Sequence, residues 1–204
     1  MATDEDLRNM LTETLNKGIS YDDYKTLVSE LITKGKSTGL TQNESMLNYS
    51  KLSERRMKRW DKTFKMQEDD KSFFQNESKP LTFLIISEGW CGDAAHALPI
   101  INKITDSSPN IDLKIVLRDD NNELMDNFLT NGGKSIPKLI ALDEKLNVLF
   151  TWGPRPKKAT GIVNEYKAKH GVLTPEFKED LQKWYNKDKG QNIVEDIKSE
   201  LEAL

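Results

Sequence analysis

The fold is decided by one stretch of the sequence, residues 82–101, which reads TFLIISEGWCGDAAHALPII. Its first part, residues 82–87, is a short apolar run with β-branched side chains, which predicts a buried strand. Its last part, residues 94–101, predicts a helix. The single cysteine of the chain, Cys91, then lies at a strand-to-helix turn, on the first turn of the helix. Unpaired N–H groups and the positive end of the helix dipole favour a thiolate there, so the stretch predicts a reactive thiol.

Two segments resemble the active site of thioredoxin. Residues 90–92, WCG, with Pro99 downstream, resemble the turn in which thioredoxin carries a helix-kinking proline after its first cysteine. Residues 133–142, GKSIPKLIAL, resemble the segment in which a cis-proline opens a strand and faces the cysteine, and Pro137 occupies that position. The hairpin that should follow fits residues 143–152. The resemblance implies an α/β, thioredoxin-like fold with a mixed central sheet flanked by helices.

Three positions depart from the thioredoxin pattern. Ala94 stands where thioredoxin has its second cysteine, Asp93 where it has a proline, and Ile85 where it has a buried aspartate. Since Cys91 is the only cysteine, no disulfide can form within the chain, and a general dithiol oxidoreductase is not expected. The single-cysteine turn WCGDA and the GPRP segment at residues 153–156 resemble a bacterial branch called thioredoxin family proteins, which also carry an N-terminal helical extension.

The thioredoxin-like pattern covers only the middle of the chain. We predict three parts of the chain: a thioredoxin-like domain at residues 80–170, an N-terminal helical extension that packs on the core at residues 1–66, and C-terminal helices at residues 171–204. The apolar stripes of the extension must be buried on the sheet, on each other or on a partner. The sequence therefore also allows an oligomer.

Capping residues predict where the helices of the extension begin. Thr3 with Asp6 has the spacing of a capping box, Ser20 opens a second helix, and Thr41 opens a third. The polar stretch that follows the third helix, residues 67–72, predicts a hinge between the extension and the sheet.

The composition fits a globular protein of the cytoplasm. The 204 residues carry a net charge of −3 and are 31% charged, and the mean hydropathy is −0.66. This charge argues against a general nucleic-acid-binding protein, and the basic run at residues 55–59 fits the solvated face of a packed helix because Met57 interrupts it. No apolar run approaches the roughly 20 residues needed to span a bilayer. Residues 1–6 lack the segments of a secretory signal, so we expect a cytoplasmic location with no membrane partner.

The candidate site combines one reactive group with a binding groove. Cys91 is the candidate catalytic residue, and the candidate substrate-binding residues are Trp90, Gly92, Asp93, Ile136 and Pro137. The resemblance implies that the backbone of Ile136 faces an extended peptide docked beside Cys91. The carboxylate of Asp93 either disfavours a thiolate two residues away or complements the helix dipole.

Two further polar residues lie close to these positions. His96 is interpreted as a polar histidine on the protein surface, able to pair with Asp93 three residues earlier. Arg155, between two prolines, either binds an anion near the site or forms a structural salt bridge. One cysteine and two separated histidines lack the spacing of a zinc site, so neither a metal nor a cofactor is expected.

Three functional hypotheses follow from the single-cysteine turn. In the first, the protein is a monothiol thiol–disulfide oxidoreductase, and Cys91 forms mixed disulfides with a protein or a low-molecular-weight thiol that an external thiol must resolve. In the second, it is a redox-inactive module that binds a protein partner through the groove at Trp90, Ile136 and Pro137 or through the N-terminal helices. In the third, Cys91 and glutathione share an iron–sulfur cluster between two subunits.

Overall fold

The computed structural model describes residues 3–204. Within that range the chain forms, in order, α1 Asp4–Lys17, α2 Tyr21–Thr33, α3 Glu44–Thr63, α4 Glu68–Gln75, β1 Leu81–Ser87, α5 Ala94–Ser107, β2 Ile111–Leu117, α6 Asn122–Asp126, β3 Lys138–Leu142, β4 Val148–Trp152, α7 Lys157–His170, α8 Pro175–Asp188 and α9 Gln191–Glu202. The strand and the helix predicted on either side of Cys91 are β1 and α5.

The strands pair in the order β2-β1-β3-β4. β2 runs parallel to β1, with Ile115 opposite Ile85. β3 runs antiparallel to β1, with Leu139 opposite Ile85, and β4 runs antiparallel to β3. Parallel neighbours need a crossover connection, which α5 supplies. This mixed sheet with helices around it confirms the predicted α/β, thioredoxin-like fold class.

The core is built around β1 and α5. Residues 83–86 of β1 have no exposed surface, as expected for a strand that is covered on both faces. Most of α5 is buried too, including Leu98, Ile100 and Ile101, because the helix packs against α3, α4, α9 and β2. A helix that is apolar on most sides has to lie inside the protein. The turn that carries Cys91 therefore joins two of the most deeply buried elements.

Local capping chemistry starts the helices of the N-terminal extension. Thr3 and Asp6 form the predicted capping box at α1, and the hydroxyl of Ser20 accepts the Asp23 N–H at α2. The prediction for α3 was wrong, because its cap is not Thr41. Asn43 Oδ1 accepts the Met46 N–H at 2.9 Å, directly before the first helical residue. Both side chains can cap a helix, and the asparagine lies at the correct distance.

The polar stretch at residues 67–72 is not the hinge that the sequence predicts. It forms most of α4, whose Phe74 is completely buried in the main core. The Lys198 ammonium of α9 also lies 3.1 Å from the Asp70 carboxylate. Two aromatic residues at the end of a polar run are enough to anchor a short helix, and this connection is held in place on α5 and α9.

Two hydrophobic clusters organise the helices. The extension shares the main cluster with the sheet through Leu11, Tyr24 and Trp60, and α9 joins the same cluster. Helices α7 and α8 form a second, smaller cluster whose buried members are Ala159, Val163, Phe177, Leu181 and Tyr185. No helix within residues 3–204 is long and apolar enough to cross a lipid bilayer. Helix α8 thus belongs to a different hydrophobic cluster from α3. The division of the chain into parts at residues 66 and 170 stays a prediction.

Candidate functional site

The turn after β1 holds Cys91 at the entrance to α5. The Cys91 N–H donates to the Glu88 carbonyl at 3.0 Å, and the Cys91 carbonyl accepts the Ala95 N–H at 3.1 Å. Its Sγ accepts the Ala94 N–H at 3.4 Å. Cys91 therefore lies in the turn, three residues before the first residue of α5, and not on the first turn of the helix as predicted. Its Sγ and its carbonyl accept the first two N–H groups of the helix.

The Cys91 thiol is buried and keeps its proton. The residue is 6% exposed, and Sγ donates to the Ile136 carbonyl at 3.3 Å. Burial, followed by the negative charge of Asp93, raises the pKa of Cys91 to about 12, against the smaller opposing effects of the turn N–H groups and Arg155. The helix start was expected to lower the pKa of Cys91, but burial has the larger effect. Removing a thiolate from water costs more free energy than a few N–H dipoles contribute.

The proline segment lies directly against this thiol. The Ile136–Pro137 peptide bond is cis, and the Ile136 carbonyl is the group that accepts the hydrogen bond from Cys91. Both residues are buried. Gly153 approaches the same segment with φ of +114°, and a Cβ added there would overlap the Pro137 carbonyl. Only glycine fits at this point, which brings the following segment with Arg155 close to the turn.

Asp93 is paired within the site. Its Oδ2 lies 2.7 Å from Arg155 Nη2, and its Oδ1 accepts the Tyr185 hydroxyl at 3.1 Å. Burial raises the pKa of Asp93, while the Arg155 charge and the Tyr185 hydroxyl oppose that rise. Of the two interpretations of Arg155, the structure contains the salt bridge. The carboxylate does not pair with His96.

His96 is not the surface histidine that the sequence predicts. It is 1% exposed and stacks on Tyr185 with ring centroids 4.1 Å apart and planes 4° apart. Trp60 Nε1 donates to His96 Nδ1 at 2.8 Å, and Nε2 lies 2.6 Å from Gln182 Oε1. Because an indole N–H can only donate, Nδ1 accepts and Nε2 carries the proton. Burial lowers the pKa of His96 to about 3, so the ring is neutral.

A cleft of about 620 Å³ opens over the turn. One wall is α3 and the facing wall is α8, with the Cys91 turn and residues 134–136 between them. The lining residues are Met46, Tyr49, Leu52, Arg56, Trp90, Cys91, Gly92, Asp93, Arg118, Lys134, Ser135, Ile136, Pro154, Arg155, Leu173, Lys178, Glu179, Leu181 and Gln182. The structure thus brings five predicted site residues to one cleft, and Pro137 is not part of its lining.

Both walls of the cleft carry residues that the sequence did not single out. Arg56 belongs to the basic run at residues 55–59. The side chains of this run have different partners: Lys58 forms an ion pair with Glu54, whereas Arg59 donates a hydrogen bond to Asn186 of α8. The helical periodicity of that run is the signal that could have distinguished Arg56 from its basic neighbours, because successive residues lie on different faces of a helix. No local sequence pattern indicated that Gln182 and Tyr185 belong to the site, because they reach it only when α8 folds back on α5.

The residues present do not favour metal chemistry. Among residues 3–204, no group of three or more His, Cys, Asp or Glu side chains could hold a metal ion. A cluster shared between two subunits needs an accessible thiolate, and Cys91 is a buried thiol bonded to Ile136. The iron–sulfur hypothesis therefore does not fit this site.

Two solved structures resemble all or most of the chain. A protein of unknown function from Pseudomonas aeruginosa superposes with a TM-score of 0.61 at 16% identity, covering 100% of this chain and 99% of that one. An HIV epitope scaffold superposes with a TM-score of 0.57 at 18% identity, covering 86% of this chain and 98% of that one. At these identities the likeness concerns the fold alone. No curated protein matches.

A family model gives the chain its classification. The model is described as Thioredoxin and matches residues 39–167, more than half of the 204 residues. The match spans α3, the Cys91 turn, the cis-proline segment and the hairpin, which are the parts that build one side and the floor of the cleft. The chain therefore belongs to the thioredoxin family.

Proposed function

We propose that this protein is a thioredoxin-fold binding module, which holds a ligand without covalent chemistry in the cleft between α3 and α8. One observation carries the proposal. The thiol at the position of the thioredoxin nucleophile is protonated, buried and hydrogen-bonded to Ile136, at the base of a walled cleft of about 620 Å³.

The state of Cys91 argues for noncovalent use of the site. The thiolate is the nucleophile in disulfide exchange, and a pKa raised to about 12 leaves almost none of it at neutral pH. Ala94 supplies no second thiol to resolve a mixed disulfide. The hydrogen bond to Ile136 uses the carbonyl that the resemblance assigns to a docked peptide. In this turn the Cys91 thiol and the Ile136 carbonyl therefore satisfy each other without a bound substrate.

The cleft itself has the properties of a ligand site. Small-molecule sites occupy about 300–1,000 Å³ and combine apolar walls with a few polar groups. Here the apolar lining includes Leu52 on one wall, Leu181 on the other, and Trp90 and Ile136 at the turn. Helix α8 closes a side that would otherwise be open to solvent. A cleft of this size favours a small ligand with an apolar body.

The binding test uses ω-phenylalkanoic acids of increasing chain length together with their neutral primary amides. Binding is followed by amide chemical shifts at Gly92 and Ser135, both of which line the cleft. We expect Cys91→Ser to bind as the wild type does, and Leu52→Trp, which fills the cleft, to lose binding. Leu40→Trp is the matched control, because Leu40 is 80% exposed and lies outside the lining. Loss of binding in Cys91→Ser, or no binding of any member of the series, overturns the proposal.

A second candidate is the monothiol oxidoreductase, and one contact favours it. The Ala94 N–H points at Cys91 Sγ from 3.4 Å, a donor that would stabilise a thiolate. In this reaction the Cys91 thiolate attacks one sulfur of an external disulfide, one S–S bond forms as another breaks, and the leaving thiolate takes the electron pair. An external thiol then reduces the mixed disulfide. Incubation with oxidised glutathione at neutral pH, read by intact mass, tests it: a stable adduct of the folded protein supports this candidate against noncovalent binding.

A further inference from the structure

We infer that the ligand of the cleft is an anion, a carboxylate on an apolar body, and that Arg56 of α3 binds its carboxylate. This inference rests on the proposed function and adds the chemical class of the ligand. It comes from the charges around the cleft and from the position of one guanidinium that the protein leaves without a partner.

Basic side chains outnumber acidic ones around the cleft. The basic lining residues are Arg56, Arg118, Lys134, Arg155 and Lys178, against the acidic Asp93 and Glu179. Three of the basic groups already have carboxylate partners within the protein. Arg118 lies 2.8 Å from Asp119, Lys134 lies 2.9 Å from Asp126, and Arg155 lies 2.7 Å from Asp93. Lys178 is exposed at the rim near Glu179. The excess charge inside the cleft is therefore that of Arg56.

Arg56 is half-buried and unpaired. Across residues 3–204 its guanidinium makes neither an ion pair nor a hydrogen bond, and the nearby Asp93 has one oxygen on Arg155 and the other on Tyr185. Burial lowers the pKa of Arg56, but a guanidinium stays charged in proteins. A partly desolvated charge without a partner is unfavourable. A bound anion would remove that cost, which is the feature expected of a receptor for an anionic group.

The neighbours of Arg56 define the rest of the ligand. Tyr49 and Leu52 lie on the same face of α3, at the spacing that stacks side chains along a helix, and both line the cleft. At the other end, a Cβ on Gly92 would lie 3.1 Å from Arg56 Nη1, so the guanidinium sits directly over the backbone beside Cys91. A ligand can place its carboxylate on Arg56 and its apolar body along Tyr49 and Leu52. The planar fork of arginine suits a carboxylate in a two-bond geometry.

The test compares each ω-phenylalkanoate with its own primary amide in three proteins: wild type, Arg56→Gln and Arg55→Gln. The amide keeps the apolar body and removes the charge. We expect the wild type to prefer the carboxylate by about tenfold or more, which is the size of a charge-assisted hydrogen bond. Arg56→Gln should bind both forms with the amide's affinity. Arg55→Gln is the matched control, because Arg55 is exposed and does not line the cleft.

The outcomes separate this inference from the proposed function. Equal binding of acid and amide by the wild type overturns the inference and leaves the binding module standing. A similar loss of both ligands in Arg56→Gln also overturns it, since the residue would then act through packing. Absence of binding by either form overturns both proposals. Arg56→Lys, which keeps the charge and loses the fork, should retain part of the preference for the carboxylate.

Discussion

The two walls of the cleft are held in different ways. Helix α3 buries Met57 and Trp60 in the main core, against the most deeply buried helix of the protein. Helix α8 buries its apolar face in the small cluster that it shares with α7. Its side-chain hydrogen bonds around the cleft join Gln182 to His96, Tyr185 to Asp93 and Asn186 to Arg59. At its end, the Asp188 carboxylate accepts hydrogen bonds from Asn192 of α9.

This difference assigns the walls different parts in binding. A wall that belongs to the main core can change position only if the whole protein rearranges. A wall that rests on a small cluster and a few polar contacts opens at lower cost, because local unfolding free energy follows buried apolar contact. The proposed carboxylate receptor, Arg56, is on the fixed wall. The adjustable wall, α8, contacts the turn at Asp93 and α5 at the buried His96.

The largest expected effect comes from weakening the fixed wall. Met57 is 2% exposed in the main core, so Met57→Ala should lower the free energy of unfolding by about 3 kcal/mol, from lost transfer energy and the cavity left behind. Urea unfolding monitored by circular dichroism measures it. Because α3 shares the core of the sheet, the loss should appear as one cooperative transition. A separate early transition of α3 would contradict the comparison.

The second effect is a pH dependence at the contact between the walls. Burial holds the pKa of folded His96 at about 3, below the ordinary value of 6.5, so the ring stays neutral while the unfolded chain takes up a proton. Its contribution is complete above about pH 6.5 and declines as the pH falls toward 3. Between about pH 7.5 and 5 the wild type should lose about 2 kcal/mol more stability than His96→Gln.

The measurement is urea unfolding of both proteins at the two pH values. Cys91 and Asp93 titrate in both, so their contributions cancel in the comparison. Equal losses in wild type and His96→Gln would mean that His96 takes up a proton in the folded protein as easily as in the unfolded chain.

The third effect concerns the adjustable wall alone. Gln182→Ala removes the acceptor of the His96 Nε2–H and should cost about 1 kcal/mol. Amide hydrogen exchange should accelerate in α8 and remain unchanged in α3. Lys183→Ala is the matched control, since its ion pair with Asp180 is exposed on both sides and contributes little. Faster exchange in both helices after Gln182→Ala would show that the walls move together.

The sequence predicted the elements better than it predicted their partners. The strand, turn and helix around Cys91 follow from local patterns that act over a few residues, and the fold class follows from them. The hinge at residues 67–72 failed because a polar run conceals the anchoring effect of Phe74. The predicted Thr41 cap was wrong because Asn43, two residues later, also caps helices and lies directly before the first helical residue. The first error replaces a hinge with a short helix and the second moves a helix start by two residues, and both leave the architecture unchanged.

The environment of the site depended on contacts that no local pattern contains. His96 and Gln182 are 86 residues apart, and Asp93 and Tyr185 are 92 apart. The return of α8 places the Gln182 acceptor against the His96 Nε2–H and the Tyr185 hydroxyl against the Asp93 carboxylate. Burial and the charge of Asp93 raise the pKa of Cys91, whereas the helix start alone predicted the opposite direction. The sequence placed Cys91 at the turn between β1 and α5, and the burial of its thiol could not be predicted from local patterns.

In the proposed function, the fold keeps Cys91 as a thiol beneath a binding cleft. The most direct measurement is the rate of Cys91 alkylation by iodoacetamide as a function of pH, with the urea-unfolded chain as the reference and Cys91→Ser as the blank. We expect an apparent pKa above the free-cysteine value of about 8.5 and a slower reaction at neutral pH than in the unfolded chain. An apparent pKa below that value, with faster alkylation of the folded protein, would contradict it and identify Cys91 as an activated nucleophile.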